Sequence, residues 1–225
     1  MGNSAAAPRV NIGEVLRNAA VFDFSRHRNR EDFMSSANIP ADAEAFFDLL
    51  QRRSPDYLLV GGVAMLAHIR GRNTEDINLV ISTRDQHRLE PEVQVLEREG
   101  FFARAQFKRL RIDFLAAEHS LFAHVSARCA DERTFDFLST PHVIRCATPE
   151  GLMLLKLYAL PSLYRQGQIE RARIYEGDIG ALLLAFPDLD AEGMLDLLQQ
   201  HGLSATDAAE LRKIVDEQRP RPRAF

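Results

Sequence analysis

The hydrophobic and polar positions of residues 40–148 form short apolar runs separated by helical stripes, and this pattern predicts a mixed sheet flanked by helices. Tyr57-Leu58-Leu59-Val60 is a continuous apolar run, as expected for a strand buried on both faces. Pro40 begins a predicted helix, because proline suits the first helical turn. The predicted helices span 40–53, 63–68 and 85–99. The predicted strands span 57–60, 76–82, 101–107, 110–116, 134–138 and 142–147.

After Thr148 the pattern becomes helical throughout. Thr148 can cap a helix whose first turn contains Pro149. Four helices are predicted, at 149–160, 168–185, 191–200 and 205–217. The sequence therefore predicts an α+β protein with four segments: a leader with short helices at 1–39, a mixed-sheet domain at 40–148, a C-terminal helical bundle at 149–218 and a basic tail at 219–225.

Composition and charge narrow the class of protein. The 225 residues are 46% hydrophobic and 27% charged, which is typical of a globular protein. The net charge is −4, so a nucleic acid would have to meet a local basic patch. The cluster at residues 25–30 could contact phosphate, but a solvated loop is the preferred interpretation. Cys129 and Cys146 have no metal-type spacing and indicate no disulfide framework. With no secretory signal and no apolar run of about 20 residues, we expect a cytoplasmic protein with no membrane partner.

A glycine pair follows the first buried strand. Gly61-Gly62 lies between that strand and a predicted helix, where a ligand can approach the backbone closely. The N–H groups at the start of such a helix favour phosphate. A tight structural turn would also explain the pair.

Three oxygen-bearing side chains lie on two of the predicted strands. Asp76 and Asn78 alternate with Ile77 and Leu79, so they share a face that is turned away from the core. Asp113 lies in a second apolar strand and can stand beside Asp76 if the two strands pair. Carboxylate and amide oxygens are ligands that Mg²⁺ accepts. The alternatives are an exposed polar sheet face and an ion pair of Asp113 with Arg109 or Arg111.

These residues together resemble the signature of the polymerase-β-type nucleotidyltransferases. The resemblance rests on Gly61-Gly62 and on the segment from Arg70 to Leu79, Arg-Gly-Arg-Asn-Thr-Glu-Asp-Ile-Asn-Leu. More narrowly, the chain is similar to the AbiEii-like toxins of type IV toxin–antitoxin systems and to their small bacterial relatives. The resemblance implies a nucleotidyltransferase-fold domain that uses Mg²⁺ or Mn²⁺.

The resemblance also implies a role for each motif residue. Gly61 and Gly62 would hold the triphosphate of a nucleoside triphosphate, and Arg72 and Thr74 would support it. The metal ligands would be Asp76, Asn78 and Asp113, with Asp76 and Asp113 catalytic.

The helical half resembles the same branch less sharply. Lys156 occupies the position of a lysine on the first helix of that half, and Asp178 that of an aspartate on the next. Lys156 would contact phosphate or handle a proton, and Asp178 would orient it. A plain ion pair between two packed helices is the alternative.

Asn78 departs from the motif, which has a second acid at this position. An amide oxygen can bind Mg²⁺, but it is neutral, so only two formal charges would hold the ions. We therefore consider two functions, beside a purely structural α/β domain in which the signature would be coincidental. The first is transfer of a nucleotidyl group to an RNA, such as a tRNA 3′ end, or to a protein hydroxyl, with a cognate antitoxin as a partner if the protein is toxin-like. The second is a catalytically degenerate module that binds a nucleotide or a partner.

Overall fold

The structure is a computed structural model that describes residues 10–22, 38–70, 72 and 74–219. The chain divides into two compact units, Met1–Ala147 and Thr148–Phe225. The predicted basic cluster at residues 25–30, and residues 220–225 of the predicted tail, lie outside the described residues. Of the helices in the described ranges, none has the length and apolar character required to cross a bilayer.

The first unit is built on a mixed sheet that contains eight strands among the described residues, in the order β1-β7-β8-β2-β3-β6-β5-β4. The strands are β1 Val10–Asn11, β2 Tyr57–Val60, β3 Asp76–Ile81, β4 Gln94–Glu99, β5 Phe102–Phe107, β6 Leu110–Ala116, β7 Ala130–Asp136 and β8 His142–Ala147. The central strand β3 pairs antiparallel with β2 and parallel with β6. This pairing places the polar residues of β3 beside the end of β2 on one side and the middle of β6 on the other.

Five helices of the described residues accompany the sheet. They are α1 Ile12–Phe22, α2 Ile39–Arg53, α3 Gly61–Leu66, α4 Thr83–His87 and α5 Ser120–Arg128. Phe46 of α2 is fully buried and packs on Phe107 of β5, with ring centroids 5.4 Å apart. Helix α2 therefore covers part of the sheet, as its apolar stripe predicts.

Residues 10–22 were predicted to form part of an N-terminal leader with short helices; this segment contains the helix α1 and lies within the first unit. β1 pairs parallel with β7, and α1 packs against α2 with Ile12 and Leu16 buried. The apolar side chains of this segment explain its place, since leaving them in water would cost free energy.

The predicted helix at 85–99 is wrong. Only Thr83–His87 is helical, and residues 94–99 form the edge strand β4, paired antiparallel with β5. Pro91 disfavours a helix at this position, because it has no backbone N–H to donate and its ring clashes with the preceding turn. The charged residues suggested a solvated helix, but an edge strand tolerates them equally well and is protected by them against pairing with other chains.

The second unit contains the four helices that the pattern predicts. They are α6 Pro149–Arg165, α7 Ile169–Ala185, α8 Ala191–Gln200 and α9 Ala205–Gln218. The Thr148 hydroxyl accepts a hydrogen bond from the Gly151 N–H, as expected of a cap. Helix α6 continues past its predicted end at residue 160. Pro161 lies buried inside the helix, so packing outweighs the backbone hydrogen bond that proline cannot donate. The predicted α+β class, a mixed sheet flanked by helices and followed by a helical bundle, is confirmed.

Candidate functional site

The two faces of β3 and β6 differ sharply in polarity. Ile77 and Leu79 are fully buried, as are their neighbours Ile112 and Phe114 on β6. The opposite face carries four polar side chains, because in-register residues of paired strands share a face. They are Asp76, Asn78, Arg111 and Asp113.

The register of β3 and β6 separates the two aspartates that the sequence was expected to place side by side. Asp113 lies opposite Asn78, and Asp76 lies opposite Arg111. The expectation failed because the pattern of alternating residues identifies a face but does not fix the alignment of two distant parallel strands. The site therefore has two carboxylates on a diagonal rather than an adjacent pair.

Asp76 is held as a carboxylate by its neighbours. Arg111 Nη2 donates to Asp76 Oδ2 at 3.2 Å, and Thr74 Oγ1 donates to Asp76 Oδ1 at 3.0 Å. Burial would raise the pKa of Asp76, but the Arg111 charge and hydrogen bonds from Thr74, Arg111 and Asn78 outweigh it, so the pKa is lowered. Thr74 is therefore a direct hydrogen-bond partner of Asp76 and helps to lower its pKa.

Asp113 is only 1% exposed and lies within reach of an arginine that the sequence reading missed. Arg104 Nε on β5 is 3.5 Å from Asp113 Oδ1, and Arg104 also contacts Glu97. The signal for Arg104 was present in the sequence. A two-residue turn at Lys108-Arg109 sets Phe107 opposite Leu110 and therefore Arg104 opposite Asp113.

The alternative partners considered for Asp113 are engaged elsewhere. Arg109 Nε donates to the buried Asp42 of α2 at 2.6 Å, and Arg111 pairs with Asp76. The Asp42 pair ties the turn between β5 and β6 to α2.

The glycine pair lies directly beside the polar face. Gly61 has a φ of +68°, a conformation that favours glycine, and a Cβ there would be 2.8 Å from Asn78 Cγ. A Cβ on Gly62 would be 2.3 Å from Arg72 Nη1 and 2.3 Å from Thr74 Oγ1. The structure therefore brings Gly61, Gly62, Arg72 and Thr74 together at the edge of the face.

The helix after the glycine pair begins at Gly61 and ends at Leu66, earlier than predicted at both ends. It is six residues long. The macrodipole of so short a helix is small. The case for phosphate at this corner therefore rests on the glycine backbone, which carries no side chains, and on the Arg72 guanidinium beside Gly62.

The donor set fits one divalent cation rather than two. Asp76 and Asp113 offer carboxylate oxygens and Asn78 an amide oxygen, a set that suits a single Mg²⁺ completed by phosphate and water. Within the described ranges, no group of three or more His, Cys, Asp or Glu is placed to hold a metal. Asn78 is not one of these residue types, so the polar face offers two acids rather than three.

In the second unit, Lys156 and Asp178 form a buried ion pair between α6 and α7. Lys156 Nζ is 2.6 Å from Asp178 Oδ2, and the two residues are 4% and 6% exposed. The ammonium also lies 4.4 Å from the centre of the Tyr175 ring. The contacts match the structural alternative; the predicted roles of Lys156 and Asp178 in catalysis stay predictions.

His68 follows α3, and its Nε2 lies 2.8 Å from the Ala147 carbonyl oxygen. Burial lowers the pKa of His68 below its ordinary value of 6.5, despite the opposing effect of that hydrogen bond. The unfolded chain therefore binds this proton more readily than the folded chain does.

We expect His68 to make the protein less stable in mild acid. A lowered histidine pKa means that stability is lost as the pH falls below 6.5, and it is kept at higher pH. The measurement is urea unfolding of the wild type and of His68→Gln between about pH 7.5 and pH 5.5. The stability difference between the two proteins should shrink or reverse as the pH falls; a difference independent of pH would contradict the prediction.

The chain can be compared with known proteins by its sequence and by its structure. No protein-family model matches the sequence, and no curated protein matches it. Solved structures that are similar to the chain are nucleotidyltransferases or nucleotidyltransferase-like.

Three of these structures can be named. ANT(2")-Ia in complex with adenylyl-2"-tobramycin has a TM-score of 0.48 and 17% identity, over 77% of this chain and 97% of its own. An antigenic nucleotidyltransferase-like protein from Paracoccidioides brasiliensis has a TM-score of 0.47 and 15% identity, over 83% and 95%. The solution structure of the antibiotic-resistance factor ANT(2")-Ia has a TM-score of 0.45 and 14% identity, over 81% and 93%. Likeness at this level does not assign an activity.

Proposed function

We propose that the first unit binds a nucleoside triphosphate with one Mg²⁺ or Mn²⁺ and transfers its nucleotidyl group to an acceptor hydroxyl. The observation that carries the proposal is the position of the Gly61-Gly62 backbone and Arg72 beside the face that bears Asp76, Asn78 and Asp113. A stretch of backbone without side chains, the Arg72 guanidinium and an oxygen-rich face are the parts that positioning of a triphosphate needs.

Each part has its own task. The backbone of Gly61 and Gly62 admits the triphosphate, and Arg72 offers it a guanidinium. Asp76, Asn78 and Asp113 would hold the ion, which neutralises charge on the phosphate oxygens when bound. In the reaction the acceptor hydroxyl gives its proton to solvent, its oxygen bonds to the α-phosphorus, and the bond from the α-phosphorus to the β-phosphate oxygen breaks to release pyrophosphate.

The order of strands orients the reactants. The glycine corner is at the end of β2, while Asp113 lies two strands away on β6. With the β- and γ-phosphates at the glycine corner, the acceptor approaches from the side of β6 and β5. We propose the 3′ end of an RNA or a protein hydroxyl as this acceptor.

A second function, nucleotide or partner binding without turnover, is favoured by a specific observation. Both carboxylates of the site already face guanidinium groups, Asp76 that of Arg111 and Asp113 that of Arg104. With Asn78 neutral, each of the two site carboxylates already has an arginine beside it, which weakens its attraction for a cation, although Arg104 is shared between Asp113 and Glu97. No contact among the described residues bears on the toxin role or the cognate antitoxin, so both stay predictions of the resemblance.

The test is incorporation of α-labelled ATP, CTP, GTP and UTP into total tRNA or protein with Mg²⁺ present. We expect Asp76→Ala to lower incorporation by about 10²–10³-fold, the usual loss when a charge-stabilising group is removed. Asn78→Asp restores the acid of the motif and should raise incorporation. Asp131→Ala is the matched control, because Asp131 is an exposed acid of β7 that pairs with Arg133.

Thermal shift with the four nucleotides separates the two functions, since a ligand that binds the native state raises apparent stability. Incorporation that Asp76→Ala abolishes supports the transferase. A thermal shift without incorporation by the wild type or Asn78→Asp supports the binding module. If neither the wild type nor Asn78→Asp showed a thermal shift or incorporated label, both proposed functions would be contradicted.

A further inference from the structure

The two aspartates of the polar face lie beside arginine side chains of the same protein. Arg111 Nη2 lies 3.2 Å from Asp76 Oδ2, and Arg104 Nε lies 3.5 Å from Asp113 Oδ1. The two arginines project from β6 and β5 onto the same face as the acids. Each of the two carboxylates thus has a guanidinium group of the protein beside it, and Arg104 is shared with Glu97.

A divalent cation would compete with these arginines for the same oxygens. Mg²⁺ binds oxygen at about 2.0–2.1 Å and demands near-octahedral geometry, which leaves little room for a guanidinium on the same carboxylate oxygen. A positive charge next to the site also repels the ion. Binding of the cation by the free protein is therefore opposed until the arginine leaves the carboxylate.

The two arginines differ in how firmly they are held. Arg104 contacts the carboxylates of both Asp113 and Glu97, and its guanidinium lies 5.6 Å from the centre of the Phe102 ring. Arg111 contacts one carboxylate in the described part of the chain, that of Asp76. Arg111 is the arginine that can leave its partner.

We propose that Arg111 makes binding of the divalent cation conditional on the nucleotide. In the free protein the Arg111 guanidinium neutralises Asp76 and keeps the ion out. When a triphosphate arrives, its negative charge draws Arg111 onto a phosphate oxygen, and Asp76 becomes available to the ion. Arg111 is thus a positioning residue, and the inference rests on the proposed function.

The neutral Asn78 strengthens this dependence. With an acid at that position, the face would have an excess negative charge and would attract a cation even with Arg111 in place. With the amide, the triphosphate supplies the missing charge. Nucleotide and ion are therefore taken up together.

The experiment measures Mn²⁺ binding to the full-length protein by electron paramagnetic resonance, without nucleotide. We expect Arg111→Gln to bind Mn²⁺ roughly tenfold more tightly than the wild type, since an adjacent positive charge is gone. Arg111→Lys, which keeps the charge, should stay within threefold of the wild type. Arg133→Gln removes an exposed arginine that pairs with Asp131 on β7, and it should leave Mn²⁺ binding unchanged.

A second measurement addresses the nucleotide. In EDTA, an equimolar mixture of ATP, CTP, GTP and UTP should stabilise the wild type in a thermal shift, and roughly tenfold more nucleotide should be needed for the same shift in Arg111→Gln. The double variant Asp76→Ala with Arg111→Gln should lose the gain in Mn²⁺ affinity, because the gain requires the freed carboxylate. Arg111→Met, also neutral, gives the same readings if Arg111→Gln is poorly folded by circular dichroism.

The outcomes separate this inference from the proposed function. Mn²⁺ affinities of the wild type and the neutral variants within twofold of each other would overturn the inference even if the wild type incorporates label. A tenfold gain that depends on Asp76 would support it even if no acceptor is labelled, and the failure would then belong to the transferase proposal alone.

Discussion

Removing the charge of Lys156 alone, as in Lys156→Met, is expected to lower the free energy of unfolding by about 3–5 kcal/mol. Lys156 and Asp178 lie 2.6 Å apart, and both are almost completely buried between α6 and α7. The substitution leaves the Asp178 carboxylate in an apolar surrounding without its cation, and that uncompensated charge accounts for the size of the effect. Urea unfolding of the full-length chain, followed by circular dichroism, measures it.

The pair can also be removed as a unit. The double variant Lys156→Met with Asp178→Leu replaces both charges by apolar groups and should recover most of the lost stability, because neither partner is left unpaired. Lys213→Met breaks an exposed pair with Glu210 on α9 and should cost less than about 1 kcal/mol. If Lys156→Met also cost less than about 1 kcal/mol, the buried pair would contribute no more to the free energy of unfolding than an exposed pair does.

The same double variant tests the predicted catalytic role of Lys156. A folded double variant that incorporates label at the wild-type rate makes the pair structural. A folded double variant that fails to incorporate label assigns Lys156 a part in the reaction, as the resemblance implies.

Gly62→Ala is expected to abolish nucleotide binding and to destabilise the first unit by about 1–3 kcal/mol, the usual cost of overpacking. The new Cβ would be 2.3 Å from Arg72 Nη1 and 2.6 Å from Thr74 Cβ. Arg72 can swing away, but it would then leave the position where we propose that it contacts phosphate. Thr74 is buried and its Cβ is close to the backbone, so the backbone itself must shift.

Thermal shift with the nucleotide mixture and urea unfolding measure the two effects of Gly62→Ala. The matched control is Gly177→Ala, in the interior of α7, where a Cβ would meet nothing within 4 Å. Alanine should stabilise that helix by up to about 1 kcal/mol, because glycine is the poorer helix former. Unchanged nucleotide binding by Gly62→Ala would remove the glycine corner from the proposed site.

Much of the fold could be predicted because it depends on local patterns. The apolar run at Tyr57–Val60 is long enough for a buried strand and has the bounds of β2. The four helices after Thr148 follow from a cap, a periodic apolar stripe and polar joints. Where a local pattern was ambiguous the prediction failed, as at residues 94–99, whose charged residues suit a solvated helix and an edge strand alike.

The residues of the candidate site could be predicted from the sequence, but the contacts among them could not. The sequence by itself determined that Gly61, Gly62, Asp76, Asn78 and Asp113 are candidates, because residue type and alternation along a strand are local properties. The tertiary structure decided that Asp76 meets Arg111, that Asp113 meets Arg104 and that Arg72 packs on Gly62. Those contacts depend on the register between strands that are distant in the chain, and register is set by the packing of the whole sheet rather than by any one segment.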